Sequence, residues 1–229
     1  MAVDLAATNT SMTREKVRKS VAVDLEHYVS RFPCIWNTLD VIDRLESLGI
    51  SGDLVECGVR RGGHMLLSKA YISRAELTPR KYWLFDTFSG MPEPLPVDVR
   101  IGSGEPAMVR WQSEKDWCSV SLADVRSNFA SMGLLSDDIV FVEGMVENTL
   151  TNASLLPEKI AYLRLDTDFY SSTKAELEVL YPRLVSGGVL VVDDYGHWKG
   201  SQMAVDEYFG GPPADFQVID RPARMLIKP

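Results

Sequence analysis

The 229-residue sequence predicts an α/β fold built on a mostly parallel sheet of about seven strands, closed by an antiparallel hairpin. Three observations carry this expectation. Apolar strand-like runs alternate with helix-like segments from residue 53 onward, glycines crowd the first strand-to-helix turn, and carboxylates stand at the ends of successive strands. With 45% hydrophobic residues the chain can bury one substantial core, so residues 1–229 read as one domain.

In chain order, residues 12–50 read as two helices, and residues 1–50 together as a helical cover before the first strand. Trp36, Leu39, Val41, Ile42, Leu45 and Leu48 fit a helix face packed on the domain or on a second copy of the chain, which leaves a homo-oligomer open. Strands are predicted at Asp53–Cys57, Tyr82–Phe85, Ile139–Val142, Ile160–Leu165, Val189–Val192, Phe216–Ile219 and Ala223–Ile227. The crossover helices are Gly63–Glu76, Val120–Met132, Ser172–Leu184 and Ser201–Phe209, with Ser171 or Ser172 placed to cap the third and Pro182 close to its other end. Only Asp220-Arg221-Pro222 separates the last two strands, too little for a helical crossover, hence the hairpin. Residues 90–119, with prolines at 92, 94, 96 and 106, stand outside this rhythm and are a candidate lid.

The net charge of −8 opposes binding to a phosphate backbone or an anionic lipid surface, so nucleic acid and membrane are not expected partners. Neither a signal-peptide core nor an apolar run of spanning length is read, and the expected location is cytoplasmic. Cys34, Cys57 and Cys118 are odd in number and far apart, which suits free thiols rather than disulfides or a thiolate zinc site. His27 and His64 read as structural or solvent-exposed.

The first strand runs into Glu56-Cys57-Gly58-Val59-Arg60-Arg61-Gly62-Gly63. Glycine permits the sharp reversal and a close ligand approach, and free N–H groups at the helix start attract anions. The spacing Gly-x-x-x-Gly-Gly is not the Gly-x-Gly-x-x-Gly of a dinucleotide pyrophosphate site. Asp86 closes the second strand about thirty residues on, where a carboxylate can accept both ribose hydroxyls of an adenosine ligand. The candidate cofactor-binding residues are therefore Glu56, Gly58, Val59, Gly62, Asp86 and Thr87. On the fourth and fifth strands, Asp166-Thr167-Asp168 and Asp193-Asp194 should lie side by side. Four carboxylates so close would repel one another unless one is protonated or a hard ion such as Mg²⁺, Ca²⁺ or Mn²⁺ neutralises them. Tyr170, Tyr195, His197 and Trp198 follow the acidic strand ends and are candidates to line an acceptor pocket.

The segments Asp53–Val59 with Gly62-Gly63, Phe85-Asp86-Thr87-Phe88-Ser89-Gly90-Met91-Pro92, Leu163–Thr173, and Asp193-Asp194-Tyr195 with Ala204-Val205-Asp206 resemble the macrocin O-methyltransferase family over residues 50–228. That resemblance implies a Rossmann-like class I methyltransferase fold, S-adenosylmethionine as cofactor, Mg²⁺ or another hard divalent cation, and a glycosylated small-molecule acceptor methylated on a sugar hydroxyl. It makes Asp166, Asp193 and Asp194 the metal ligands and Asp168 the general base, sets Asp86 on the ribose, and lays Gly144 and Met145 along the adenine. The sequence departs from the family pattern at Phe32–Trp36, ahead of the first strand, and at Gln202, where Arg or Lys is usual. Alcohol methylation needs an activated hydroxyl, and a cation chelated by two neighbouring oxygens would lower its pKa, so a vicinal diol is the expected acceptor. The alternatives are an Asp-x-Asp sugar- or phosphoryl-transfer enzyme using Mg²⁺, and a non-catalytic adenosine-binding module.

Overall fold

The computed structural model of the chain describes residues 5–29 and 31–229, with backbone alone for residues 5–13. Five strands, β1 (Asp53–Cys57), β2 (Tyr82–Asp86), β3 (Ile139–Glu143), β4 (Ile160–Leu165) and β5 (Leu184–Val192), pair in parallel, and β7 (Arg224–Ile227) joins antiparallel to β5 and to β6 (Gln217–Val218). The order β3-β2-β1-β4-β5-β7-β6 reverses direction on either side of β1 and β4. In an open sheet of this kind a crevice forms where the order reverses, outside the carboxyl ends of the strands.

Central strands buried on both faces need near-continuous apolar sequence, which β4 shows: all six of its residues are buried, Arg164 alone among them being charged. Helix α3 (Gly63–Arg74) connects β1 to β2, and α4 (Ala107–Ser113) and α5 (Leu122–Ser131) lie between β2 and β3. A single turn, α6 (Val146–Thr149), follows β3, α7 (Tyr170–Val179) joins β4 to β5, and α8 (Lys199–Phe209) follows β5. The Ser121 hydroxyl opens α5 by accepting the Asp124 N–H at 3.1 Å.

The N-terminal helices α1 (Leu5–Leu25) and α2 (Phe32–Ser47) pack on α3. Leu39, Val41, Ile42 and Leu45 of α2 are buried, whereas Leu48 lies past the helix end and is exposed. Gly63 fixes the approach of this cover: a Cβ there would stand 2.9 Å from the Tyr28 carbonyl carbon. None of the described helices is long and apolar enough to cross a membrane.

Several predicted boundaries shift, two of them with a clear physical reason. Helix α7 begins at Tyr170, so Ser171 and Ser172 fall inside it and do not cap it; the Ser172 hydroxyl instead donates back to the Phe169 carbonyl at 3.1 Å. Strand β5 begins at Leu184 rather than Val189, because Tyr181–Arg183 ends the helix as a short 3-10 turn and the strand carries its irregularity at Gly187 in the left-handed region. Leu39→Ala, which empties a fully buried position in α2, should lower unfolding free energy by about 2–5 kcal/mol in urea titrations. A cost near zero would mean that the cover does not share the core.

Candidate active site

Gly58 leaves β1 with φ +79°, where an added Cβ would stand 2.6 Å from the Asp166 carbonyl carbon. The glycine therefore lets the first turn close directly against the acidic end of β4. The turn itself is organised by Asp86 at the end of β2. One carboxylate oxygen accepts the Val59 N–H at 2.7 Å and the Arg60 N–H at 2.9 Å, and the other accepts the Phe88 N–H at 2.8 Å. The Thr87 hydroxyl donates to the Gly90 carbonyl at 2.7 Å. Gly62, also left-handed, starts α3 against Phe129 and Val125.

Between these turns lies a partly open cleft with a cavity volume of about 170 Å³. Gly58, Asp86 and Thr87 line it beneath the carboxyl ends of β1 and β2, Gly144 and Met145 line it after β3, and Asp166 and Asp168 line it after β4. Of the expected cofactor residues, Glu56, Val59 and Gly62 are absent from its wall. Val59 and Gly62 support the turn from behind, and Glu56 is buried below it.

Glu56 faces Arg164. The two are paired in the parallel register of β1 and β4, and Glu56 Oε1 stands 3.3 Å from Arg164 Nε. Arg164, with 2% of its side chain exposed, also donates Nη2 to Asp166 Oδ2 at 2.9 Å and to Asp193 Oδ1. Strand alternation puts these groups together: Asp166 lies two residues beyond Arg164, and Asp193 two beyond Val191, its register partner on β5. Burial pushes the Glu56 carboxyl well above the usual carboxylate range, with the Arg164 charge opposing. Sequence reasoning did not single out Arg164 as a site residue, although one charge within an otherwise apolar strand was its signal.

Asp166, Asp168 and Asp194 each bring a carboxylate oxygen within 4.8 Å of the others. Asp194 Oδ2 is buried without a hydrogen-bond partner among the described residues. Asp168 is held with φ +68°, in the left-handed region that few non-glycine residues adopt. Its carboxyl is pushed up to about 7, chiefly by burial, with the Asp166 charge adding and a hydrogen bond to Asp194 opposing. Burial also raises Asp166 and Asp194 well above the ordinary range, helped by the neighbouring acids. Asp193, expected as a metal ligand, stands outside this trio, because its Oδ1 is taken by the guanidinium groups of Arg164 and Arg31. Three hard oxygen donors within this spacing, one of them unsatisfied, suit a small divalent cation.

The expected acceptor residues do not meet in the cleft. Tyr195 donates to Asp206 Oδ1 at 2.8 Å and packs edge-on to Phe216, and Tyr170 donates to Glu207 Oε2 at 2.7 Å. His197 is half-buried, its carbonyl accepting from the Ile101 N–H at 2.8 Å. Trp198 is buried against Phe169 and Trp117. The 90–119 segment contributes Gly90, Met91, Pro92 and Cys118 to the wall, its base tied by the Met91 N–H donating to the Trp117 carbonyl at 3.1 Å. From its middle, buried Asp98 accepts the Tyr170 N–H at 2.9 Å, capping α7 from 72 residues upstream.

The family model described as macrocin-O-methyltransferase (TylF) matches residues 35–221. Among curated relatives, the 8-demethyl-8-(2,3-dimethoxy-alpha-L-rhamnosyl)-tetracenomycin-C 4'-O-methyltransferase of Streptomyces olivaceus is 36% identical over 78% of this chain and 70% of its own length. The demethyldecarbamoylnovobiocin O-methyltransferase of Streptomyces niveus is 34% identical over 82% of this chain and 72% of its own. The structure of the O-methyltransferase NovP superposes with a TM-score of 0.73 at 30% identity, covering 86% of this chain and 80% of that one.

A carboxyl whose native pKa stands above its unfolded value near 3.9 holds its proton more tightly when folded, so the native state loses stability as pH rises from about 4 to about 7. Asp168→Asn removes that loss. In chelator-treated protein the variant should unfold at a higher temperature than wild type at pH 8, and at the same temperature at pH 3.5. A variant less stable at pH 8 would contradict the raised carboxyl.

Proposed function

The chain belongs to the macrocin O-methyltransferase family, and on that premise we propose that it carries the methyl group of S-adenosylmethionine to a hydroxyl of a sugar diol on a glycosylated small molecule. The observation that carries this reading is the adjacency of the cleft between Gly58, Asp86 and Gly144 to the carboxylates of Asp166, Asp168 and Asp194. The names of the two curated relatives specify a rhamnosyl 4'-oxygen and O-methylation of demethyldecarbamoylnovobiocin. What this chain takes from them is the class of acceptor, a hydroxyl on a natural-product sugar.

In this reading the backbone at Gly58 and Gly144 leaves room for the adenosine, Met145 lies along the base and Asp86 faces the ribose while holding the turn. Asp166 and Asp194 are the groups that would hold Mg²⁺ or another hard divalent cation, whose chemistry when bound is to lower the pKa of a chelated diol. Asp193, the remaining ligand that the family pattern implies, has its Oδ1 engaged by Arg164 and Arg31.

Asp168 is the base. It sits at the cleft wall beside Asp166, where burial raises its affinity for a proton. Arg164 offsets part of the negative charge that Asp166, Asp193 and Glu56 bring together, so the cluster stays ordered without every acid being protonated. The 90–119 segment closes the mouth and keeps water from the reacting hydroxyl.

Transfer of labelled methyl from S-adenosylmethionine to a panel of rhamnosides and other glycosides, with Mg²⁺ and with chelator, tests the reading. Label should move only with the cation present, and binding of NAD with none of S-adenosylmethionine would overturn the assignment. Asp166→Asn should raise the Mg²⁺ requirement and regain part of its rate at high metal. Asp168→Asn should lose roughly 10²–10⁴-fold in turnover, unrelieved by metal, with cofactor affinity intact. Equal loss of metal affinity in both variants would make Asp168 a ligand.

A further inference from the structure

Arg31 precedes α2, in the N-terminal cover, yet its side chain reaches the catalytic edge of the sheet. Nη2 pairs with Asp193 Oδ1, the oxygen that Arg164 also uses, and Nη1 donates to Asp220 Oδ1 at 3.2 Å. Asp220 anchors the hairpin tip by accepting the Ala223 N–H at 2.9 Å. Cys34 Sγ, one turn into α2, stands 3.6 Å from the other Asp220 oxygen. Three parts of the chain remote in sequence thus meet at a single guanidinium.

The two arginines on Asp193 differ in what holds them. Arg164 is enclosed in the sheet, whereas a quarter of the Arg31 side chain is exposed, although its Nη2 is buried against Asp193. Asp193 would still be paired by Arg164 if Arg31 were lost, and no buried carboxylate would be orphaned. The effect of Arg31 should therefore fall on the charge of the acidic cluster more than on the fold.

We propose that Arg31 is a positioning residue: it holds Asp193 with a positive charge from the N-terminal cover and thereby weakens the hold of the acidic cluster on a divalent cation. The inference rests on the cation site proposed above. A fixed positive charge beside a part-solvated anionic site opposes cation binding, and Asp193 cannot offer Oδ1 elsewhere while two guanidinium groups share it. Docking of the cover then sets how readily the site fills.

Mn²⁺ binding to the full-length protein, followed by electron paramagnetic resonance without cofactor or acceptor, tests this. Arg31→Met should tighten Mn²⁺ binding about tenfold, and Arg31→Lys, which restores the charge, should return it toward wild type. Thermal unfolding identifies any variant that fails to fold. Arg31→Met binding Mn²⁺ no more tightly than wild type, or Arg31→Lys failing to restore wild-type binding, overturns the proposal. A wild-type protein that binds no Mn²⁺ overturns the cation site itself and the inference with it.

Discussion

A guanidinium near the carboxyl end of the sheet's central strand is the constraint from which the site is built. Arg164 is enclosed between β1 and β5, where an uncompensated charge would cost several kcal/mol. Its partners Glu56, Asp166 and Asp193 come from three adjacent strands and fall within reach only because parallel register and two-residue alternation put them on one face. The strand order is thus an electrostatic requirement as well as a packing one. A register slip of one residue would turn the arginine to the opposite face, together with Asp166, and leave Glu56 and Asp193 behind.

The same arrangement explains why acidic residues can be so dense at the mouth of a buried crevice. Arg164 secures one oxygen each of Asp166 and Asp193, and Asp168 and Asp194 lie beyond the strand ends, where the backbone is free of ladder geometry. Asp168 accordingly takes up a left-handed conformation that no strand would allow. Part of the cluster is held by the sheet, and part is left at the cleft wall for chemistry.

Much of the fold was legible in the sequence because its signals are local. The apolar runs of β1 to β4, the short hairpin loop and the glycine turn each announce themselves within a dozen residues. The positions of Asp86, Asp166 and Asp168 at strand ends were legible for the same reason, since a polar residue closing an apolar run marks the edge of the sheet. What the sequence hid is pairing between distant segments. Nothing near Tyr170 indicates that Asp98 caps its helix, and nothing near Asp193 indicates that Arg31 reaches it. Asp86 carries two meanings that sequence spacing could not separate, being placed where a ribose would lie and already engaged by three backbone N–H groups. Tyr195 and Tyr170 show the converse: proximity in sequence to the acids did not bring their hydroxyls to the cleft, because Asp206 and Glu207 on α8 claim them.

The attachment of the 90–119 segment bears on how such an enzyme can change over evolutionary time. Met91 with Trp117, Asp98 with Tyr170, and Val99 and Ile101 with Lys199 and His197 fix the segment at its base and along its interior, and Gly200 keeps α8 clear of the Asp98 carboxylate. Between Asp98 and α4 the chain forms a loop whose Gly102 and Gly104 have open space around them. Residues can be exchanged or inserted around Gly102 and Gly104 without disturbing the α7 terminus that follows Asp166 and Asp168. The tip of the segment is therefore an interchangeable panel on a fixed frame, and lineages sharing the frame can diverge there while the strand-end carboxylates stay in place.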